Sequence, residues 1–139
     1  MVMDKKEFDR WNSIKQGLDA KNTIDTAPKI PRIKEGEIWW SACGKNIGTE
    51  INGKNELFER PILILKKLSQ FTFMAMPLTS KEKSGSWYVH FVFRDRNQYA
   101  AICQAKSMSV FRLYRKMGMV PKSDLEMVRD GFLKLYSDK

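Results

Sequence analysis

The sequence is poor in the residues that build metal centres and disulfide frameworks. Its 139 residues include two cysteines and one histidine. Cys43 and Cys103 are too few and too far apart for a zinc site, and a disulfide between them stays open because nothing in the spacing supports it. The composition therefore predicts no metal site and no cofactor.

Long hydrophobic runs are also missing. No apolar stretch approaches the roughly 18 residues that a membrane-spanning helix needs. The first residues are charged and polar, which does not fit the apolar core of a secretion signal. We therefore expect a cytoplasmic protein without a membrane segment.

Acidic residues are scarce relative to basic ones. The chain has 25 Lys or Arg against 16 Asp or Glu, a net charge of +9. Residues 81–116 contain eight basic residues and two acidic ones. A basic surface of this kind favours a polyanionic partner, although a solvated basic surface without a partner remains the alternative.

What the chain does have is enough apolar content, 42%, for one compact domain. Residues 1–34 are predicted to form an amphipathic helix, with a capping box at Asp4 and Glu7, followed by a linker that carries Pro28 and Pro31. The apolar stripe of this helix consists of Phe8, Trp11, Ile14 and Leu18. We expect this stripe to dock on the domain at 35–139 rather than on a partner protein.

Residues 35–139 carry short apolar runs with the β-propensity and alternation of strands. Strands are predicted at 37–40, 62–65, 71–76, 87–93 and 99–103, a short helix at 109–116 closed by Gly118, and a last helix with a capping box at Ser123 and Glu126. In the strand at 87–93 the odd-numbered residues, from Trp87 to Phe93, form the inward face, and His90 points away. This order predicts an α+β fold with a small, strongly bent antiparallel sheet or barrel and helices at both ends.

Two polar residues are placed next to the most buried runs. Arg60 precedes the apolar run at 62–65, and Thr79 follows the next run along the chain. An arginine at the rim of a rigid strand can bind a phosphate. The loop at 43–59 leads into Arg60, so we expect it to fold over whatever Arg60 binds. The alternative is that Arg60 pairs with Glu50 or Glu59 and that Thr79 caps a turn.

Taken together, six segments resemble the PemK/MazF family of toxins in order and spacing. They are Gly-Glu-Ile-Trp at 36–39, Gly-Thr-Glu at 48–50, Arg-Pro-Ile-Leu-Ile at 60–64, Pro-Leu-Thr-Ser at 77–80, Gln104, and Arg-Leu at 112–113. The resemblance spans about residues 35 to 136. It implies an SH3-like barrel, a homodimer, a partner antitoxin, and metal-independent cleavage of single-stranded RNA such as mRNA.

The resemblance also implies roles for individual residues. Arg60 and Thr79 fall on the catalytic positions of the family, and Glu50 falls on its loop glutamate. Attack of a ribose 2′-hydroxyl on the adjacent phosphate needs charge stabilisation, which Arg60 can supply, and a base, for which Glu50 is the candidate. The residues expected to contact RNA are Thr49, Ser80, Lys81, Lys83, Gln104 and Lys106.

The chain departs from the family pattern at four positions. Some members carry His, Arg and an acid where this chain has Thr49, Ala101 and Cys103, and an Asp that often occurs in the family is Ser109 here. An acid–base scheme that depends on those side chains is therefore excluded, and the scheme with Arg60 and Thr79 is what remains. Two other classes stay open, namely a non-catalytic toxin that binds a protein such as DNA gyrase, and an RNA-binding module on the same barrel.

Overall fold

The fold is a bent antiparallel sheet with a helix at each end of the chain. The structure is a computed structural model, and it describes residues 5–20, 30–44, 46 and 49–137. The elements in chain order are α1 (Lys5–Ala20), β1 (Glu37–Ala42), β2 (Glu59–Lys67), β3 (Thr72–Thr79), β4 (Tyr88–Phe93), β5 (Arg96–Ala101), β6 (Lys106–Ser109), β7 (Leu113–Met119) and α2 (Lys122–Ser137). Short 3₁₀ turns at Ile102–Gln104 and Val110–Arg112 precede β6 and β7.

The seven strands form one sheet in the order β4-β5-β3-β2-β1-β7, and β6 pairs with β3 outside this path. All described pairings are antiparallel. This confirms the predicted α+β class. The sheet is bent but not closed, since β4 and β7 are not paired with each other in the described part of the chain. Phe93 of β4 nevertheless reaches Gly118 of β7, where an added Cβ would lie 2.8 Å from the Phe93 ring.

Both faces of the sheet are covered. One face packs with α2 around Ile38, Leu63, Met76 and Val128, all of them fully or almost fully buried. The other face packs around Ile62, Ile64 and Phe73 with β6 and the second 3₁₀ turn. Apolar residues on both faces of β2 explain why its run at 62–65 is continuous rather than alternating.

Helix α1 docks on the domain, as its apolar stripe predicts. Trp11 is buried and packs with Ala42 and Phe58, while Ile14 and Leu18 are partly buried beside them. Phe8, although part of the stripe, is 43% exposed. Asp4 and the linker residue Pro28 lie outside the described residues, and the domain boundary at residue 35 stays a prediction.

The helix predicted at 109–116 is wrong. Ser109 does act as a cap, since its Oγ accepts a hydrogen bond from the Phe111 N–H at 3.2 Å, but it caps only the 3₁₀ turn. The chain then extends into β7, which pairs with β1. Gly118 is a strand residue rather than a helix terminator. Pairing with the edge of β1 therefore outweighs the local helical signals.

The hairpin at β4 and β5 also differs from the prediction. Phe93 pairs directly with Arg96, so the turn consists of Arg94 and Asp95 alone, with φ values of 50° and 62°. Two consecutive residues with positive φ are typical of the tight hairpin turn whose twist matches that of the strands. Phe91 and Phe93 face inward as predicted, but Trp87 precedes β4 and is 61% exposed.

Candidate functional site

Arg60 is the second residue of β2, inside the strand rather than ahead of it, and only 8% of its surface is exposed. Its Nε donates to the Asn52 carbonyl at 2.7 Å, and its Nη1 donates to the Leu78 carbonyl at 3.2 Å. An arginine has five N–H donors, so three remain for a ligand within the described part of the chain. Burial lowers the pKa of the Arg60 guanidinium below its ordinary value, and nearby Cys43 opposes this shift.

Thr79 is the last residue of β3 and is also buried. The register of β2 and β3 pairs Ile62 with Pro77, and continuing it by two residues brings Arg60 opposite Thr79 on the same face. Thr79 Oγ1 accepts a hydrogen bond from the Lys81 N–H at 3.2 Å. The expected turn cap is therefore present, but a hydroxyl that accepts one hydrogen bond can still donate its own proton.

Arg60 and Thr79 line one cleft of about 460 Å³. Ser80 also lines it, and its other walls include Trp40, Lys54, Arg94, Arg96 and Gln98. One carboxylate, that of Glu59, faces the cleft. Glu59 is bound by Arg115 at 2.9 Å and by the Asn55 side chain at 2.8 Å. The cleft therefore carries an excess of positive charge, which suits a phosphate-containing ligand.

Hydrogen bonds join the described residues at the two ends of the loop that leads into β2. The N–H groups of Cys43 and Gly44 donate to the Phe58 carbonyl at 3.0 and 3.1 Å, and the Gly53 N–H donates to the Gly44 carbonyl at 2.8 Å. Asn52, next to Gly53, is the residue whose carbonyl binds Arg60. The loop therefore orients the guanidinium through a backbone carbonyl. The sequence predicted only that the loop folds over whatever Arg60 binds.

Gln104 also forms hydrogen bonds with this loop. Its Oε1 accepts from the Ile51 N–H at 2.6 Å, and its Nε2 donates to the Thr49 carbonyl at 3.3 Å. Both ends of its amide are thus used by the backbone of residues 49–51. The residue predicted as an RNA contact is placed as an anchor of the loop that carries the Arg60 acceptor.

Three cationic side chains lie near Cys43. Burial raises the pKa of its thiol, and the positive charges of Lys106, Arg60 and Arg112 partly offset this. Lys106 is exposed at the start of β6, and Arg112 donates to the Ala42 carbonyl at 2.9 Å. Both Cys43 and Cys103 are free thiols, so the disulfide left open by the sequence is absent from the described residues.

The remaining predicted site residues are on the surface. Thr49, Glu50, Lys81 and Lys83 are exposed, and none of them is among the described residues that line the cleft. The Lys83 ammonium lies 5.7 Å from the centre of the Tyr88 ring. Glu50 is on the loop that holds Arg60, but the hydrogen bonds that orient the guanidinium come from backbone carbonyls. The alternative pairing of Arg60 with Glu59 is not what the structure shows, since Glu59 binds Arg115.

Sequence reasoning missed the far wall of the cleft. Trp40 lies in the strand predicted at 37–40, and Arg94 and Arg96 lie between two predicted strands. No sequence pattern links these three side chains, because β1 and the hairpin of β4 and β5 are far apart in the chain. The Arg115 guanidinium lies 4.9 Å from the centre of the Trp40 ring.

Two kinds of feature are absent from the described residues. Within the described residues, no group of three or more His, Cys, Asp or Glu is arranged to hold a metal ion. Neither of the two described helices is long and apolar enough to cross a membrane.

Several solved structures have a fold similar to that of this chain. MazF from Deinococcus radiodurans (form I) superposes with a TM-score of 0.61 at 20% identity, covering 76% of this chain and 96% of that one. An endoribonuclease from a mycobacterial species, solved in complex with its cognate antitoxin, gives 0.58 at 12% identity, covering 78% and 98%. The D. radiodurans MazE–MazF complex (form III) gives 0.57 at 17% identity, covering 77% and 98%.

These likenesses are below 25% identity and establish the fold. Comparison with the curated proteins gives no match. The family model of the PemK-like, MazF-like toxins matches residues 34–136, which is most of the chain. It includes every strand of the sheet as well as Arg60, Thr79 and the loop between β1 and β2. The chain therefore belongs to the PemK-like, MazF-like toxins of type II toxin-antitoxin systems.

Proposed function

We propose that this toxin is an endoribonuclease that cleaves single-stranded RNA at the Arg60 cleft without a metal ion. The observation that carries the proposal is the placement of a buried guanidinium and a hydroxyl in one positively charged cleft. Similar folds include a protein described as an endoribonuclease in complex with its cognate antitoxin, which supports both the activity and an antitoxin partner. We further propose that the protein acts in the cytoplasm, on mRNA, as a homodimer.

The proposed reaction is an internal transesterification. The ribose 2′-oxygen loses its proton and forms a bond to the adjacent phosphorus, and the bond from phosphorus to the 5′-oxygen breaks as that oxygen gains a proton. The products are a 2′,3′-cyclic phosphate and a 5′-hydroxyl. The charge that must be stabilised develops on the non-bridging oxygens of the phosphorane, where fixed N–H donors act most strongly.

Each site residue has a role that follows from its chemistry. Arg60 donates hydrogen bonds from its free N–H groups to the non-bridging oxygens of the phosphorane. It is also the candidate donor of the proton that the leaving 5′-oxygen gains. Thr79 donates its hydroxyl proton to a non-bridging oxygen. Glu50 stays the proposed base for the 2′-hydroxyl because of its family position and because a carboxylate can accept that proton; it is exposed and is not among the described residues that line the cleft.

The test is cleavage of an unstructured RNA in EDTA under multiple-turnover conditions, with identification of the new ends. The wild type should turn over repeatedly and leave 2′,3′-cyclic phosphates. Arg60→Ala should lose on the order of 10²–10³ in kcat, as expected for removal of one preorganised donor. Thr79→Ala and Glu50→Gln should also be slower, with the fold retained by circular dichroism.

Arg32→Ala is the matched control, because Arg32 is exposed and does not line the cleft. It should cleave at the wild-type rate. Normal turnover by Arg60→Ala would contradict the assignment of the site. If the wild type retards RNA in a gel without cutting it, the chain is an RNA-binding module. If it neither binds nor cuts RNA, the chain is a toxin that acts by binding a protein.

A further inference from the structure

Helix α1 lies outside the stretch that the family model matches, yet it packs against the loop that holds Arg60. The match begins at residue 34, whereas α1 spans Lys5–Ala20. Trp11 is the single buried residue on this helix, with 4% of its surface exposed. A helix of this length is marginal by itself in water, so its contacts with the domain stabilise it, and Trp11 makes the most buried of them.

Trp11 contacts Gly44, which lies at the start of the 43–59 loop. Gly44 has a φ of +76°, and a Cβ added there would lie 2.3 Å from the Trp11 ring. The ring therefore rests directly on the Gly44 backbone. Only glycine combines this left-handed conformation with so close an approach.

Trp11 also contacts the second end of the loop at Phe58. The ring centres of Trp11 and Phe58 are 5.6 Å apart. The guanidinium of Arg10, which also belongs to α1, lies 4.9 Å from the Phe58 ring centre. Phe58 has a φ of 52°, an unfavourable conformation for a bulky side chain, which persists only when the surrounding packing fixes it. Its carbonyl accepts the N–H groups of Cys43 and Gly44, so the two ends of the loop are joined beneath the Trp11 ring.

A short series of contacts connects this point to the reactive guanidinium. The Gly44 carbonyl accepts the Gly53 N–H at 2.8 Å. The neighbouring Asn52 carbonyl accepts the Arg60 Nε at 2.7 Å. A displacement of Gly44 would therefore move the acceptor that orients Arg60.

We infer that Trp11 is a positioning residue, and that α1 holds Gly44 and Phe58, at the two ends of the 43–59 loop, in the arrangement that orients Arg60. The inference rests on the proposed function for its catalytic consequence. No residue of α1 lines the Arg60 cleft in the described part of the chain, so the helix supports the site without blocking it. A shift of about 1 Å in a catalytic group can cost roughly 10² in rate.

The experiment compares Trp11→Ala with two matched variants of the full-length chain. Phe8→Ala removes another aromatic residue from the same helix, but one that is 43% exposed, and it should behave as wild type. Trp11→Phe keeps an aromatic ring against Gly44 and should restore most of the activity. The measurements are kcat and KM on a short RNA, and hydrogen–deuterium exchange of the loop and of β2.

For Trp11→Ala we expect kcat to fall between about tenfold and 10²-fold with KM nearly unchanged. Exchange at the Ile51 and Gly53 amides should accelerate, while the amides of β2 in the core remain protected. Slow exchange in the loop of a folded Trp11→Ala protein would overturn the inference, and so would an unchanged kcat. Because the exchange measurement does not need activity, inactivity of the wild type on RNA would contradict the proposed function alone.

Discussion

The guanidinium of Arg60 is fixed by two backbone carbonyls instead of a carboxylate. A carboxylate partner would neutralise the charge that a phosphorane needs, whereas a carbonyl orients the donor and leaves its charge available. The nearest acidic residue in sequence, Glu59, is bound by Arg115 and Asn55. At the scale of single residues, the site therefore combines a buried cation with neutral acceptors.

Gln104 is the residue whose position most changes the interpretation, and this leads to a prediction. Both polar atoms of its amide bind the backbone of residues 49–51, so Gln104→Ala should loosen the loop that carries the Asn52 acceptor. We expect kcat to fall about tenfold or more. The affinity for a non-cleavable RNA that carries 2′-deoxyribose at the scissile position should stay nearly the same.

The two measurements separate an anchor from a ligand contact. If Gln104 binds RNA directly, as the family resemblance implied, the same substitution weakens binding of the non-cleavable RNA and leaves the cleavage rate of bound RNA intact. That result would contradict the role of Gln104 as a loop anchor. Arg32→Ala serves again as the variant expected to change neither quantity.

The sequence was sufficient to predict that Arg60 and Thr79 lie near each other, because each flanks a continuously apolar strand and the two strands are consecutive. It was insufficient for Gln104 and Asn52. The hydrogen bond between Gln104 and Ile51 joins residues that are 53 positions apart. The hydrogen bond from Arg60 to the Asn52 carbonyl depends on the path of the loop backbone. Such contacts leave no periodic pattern in the chain, since backbone carbonyls are common to every residue type.

At the scale of elements, the region at 109–119 shows where local signals are overridden. Ser109 carries a cap signal and Gly118 a terminator signal, yet β7 forms because β1 would otherwise present an unpaired edge. Helix α2 was predictable from its apolar residues at helical spacing, which agree with the tertiary packing of Leu125 and Val128. Its predicted N-cap was displaced, because the helix begins at Lys122 and Ser123 lies inside it. Agreement of local and tertiary preferences marks the elements that sequence alone predicts well.

Glu35 ties α2 to the end of β2 and carries a stability prediction. Its carboxylate accepts the Lys67 N–H at 2.9 Å and an Arg129 N–H at 2.8 Å. The Lys67 hydrogen bond is the main cause of the lowered pKa of Glu35, with Arg129 and Lys66 adding to it and burial opposing it. Glu35→Gln should lower the free energy of unfolding by about 1 kcal/mol at pH 7, since one charged acceptor is lost.

The pH dependence has a defined sign. A carboxyl whose pKa is lowered in the folded state contributes stability that is present above its unfolded pKa, about 4.3, and that is lost as the pH falls through the folded pKa. The difference between wild type and Glu35→Gln in urea unfolding should therefore shrink below about pH 4. Glu126→Gln, at an exposed position of α2, is the control. A difference that stays constant down to pH 2 would argue against this contribution.

At the scale of the whole molecule, the chain has a net charge of +9, and basic side chains outnumber acidic ones among the residues that line the cleft. The cleft walls carry Lys54, Arg94 and Arg96 in addition to Arg60. Lys106 and Arg112, which do not line the cleft, lie close enough to Cys43 for their charges to lower the pKa of its thiol, as does that of Arg60. The uneven charge was visible in the sequence, whereas its arrangement around one cleft required the fold.

Arg96 tests whether the hairpin at β4 and β5 is part of the RNA path. It is exposed at the start of β5 and lines the cleft. Arg96→Gln should weaken RNA binding, and the slope of log K against log salt should become shallower by about 0.7 for the loss of one phosphate contact to a single strand. The cleavage rate of bound RNA should not change, because Arg96 is not expected to contact the scissile phosphate.

Lys134→Gln removes an exposed charge on α2, away from the cleft, and should leave the slope unchanged. Equal slopes for Arg96→Gln and wild type would place the RNA elsewhere on the molecule.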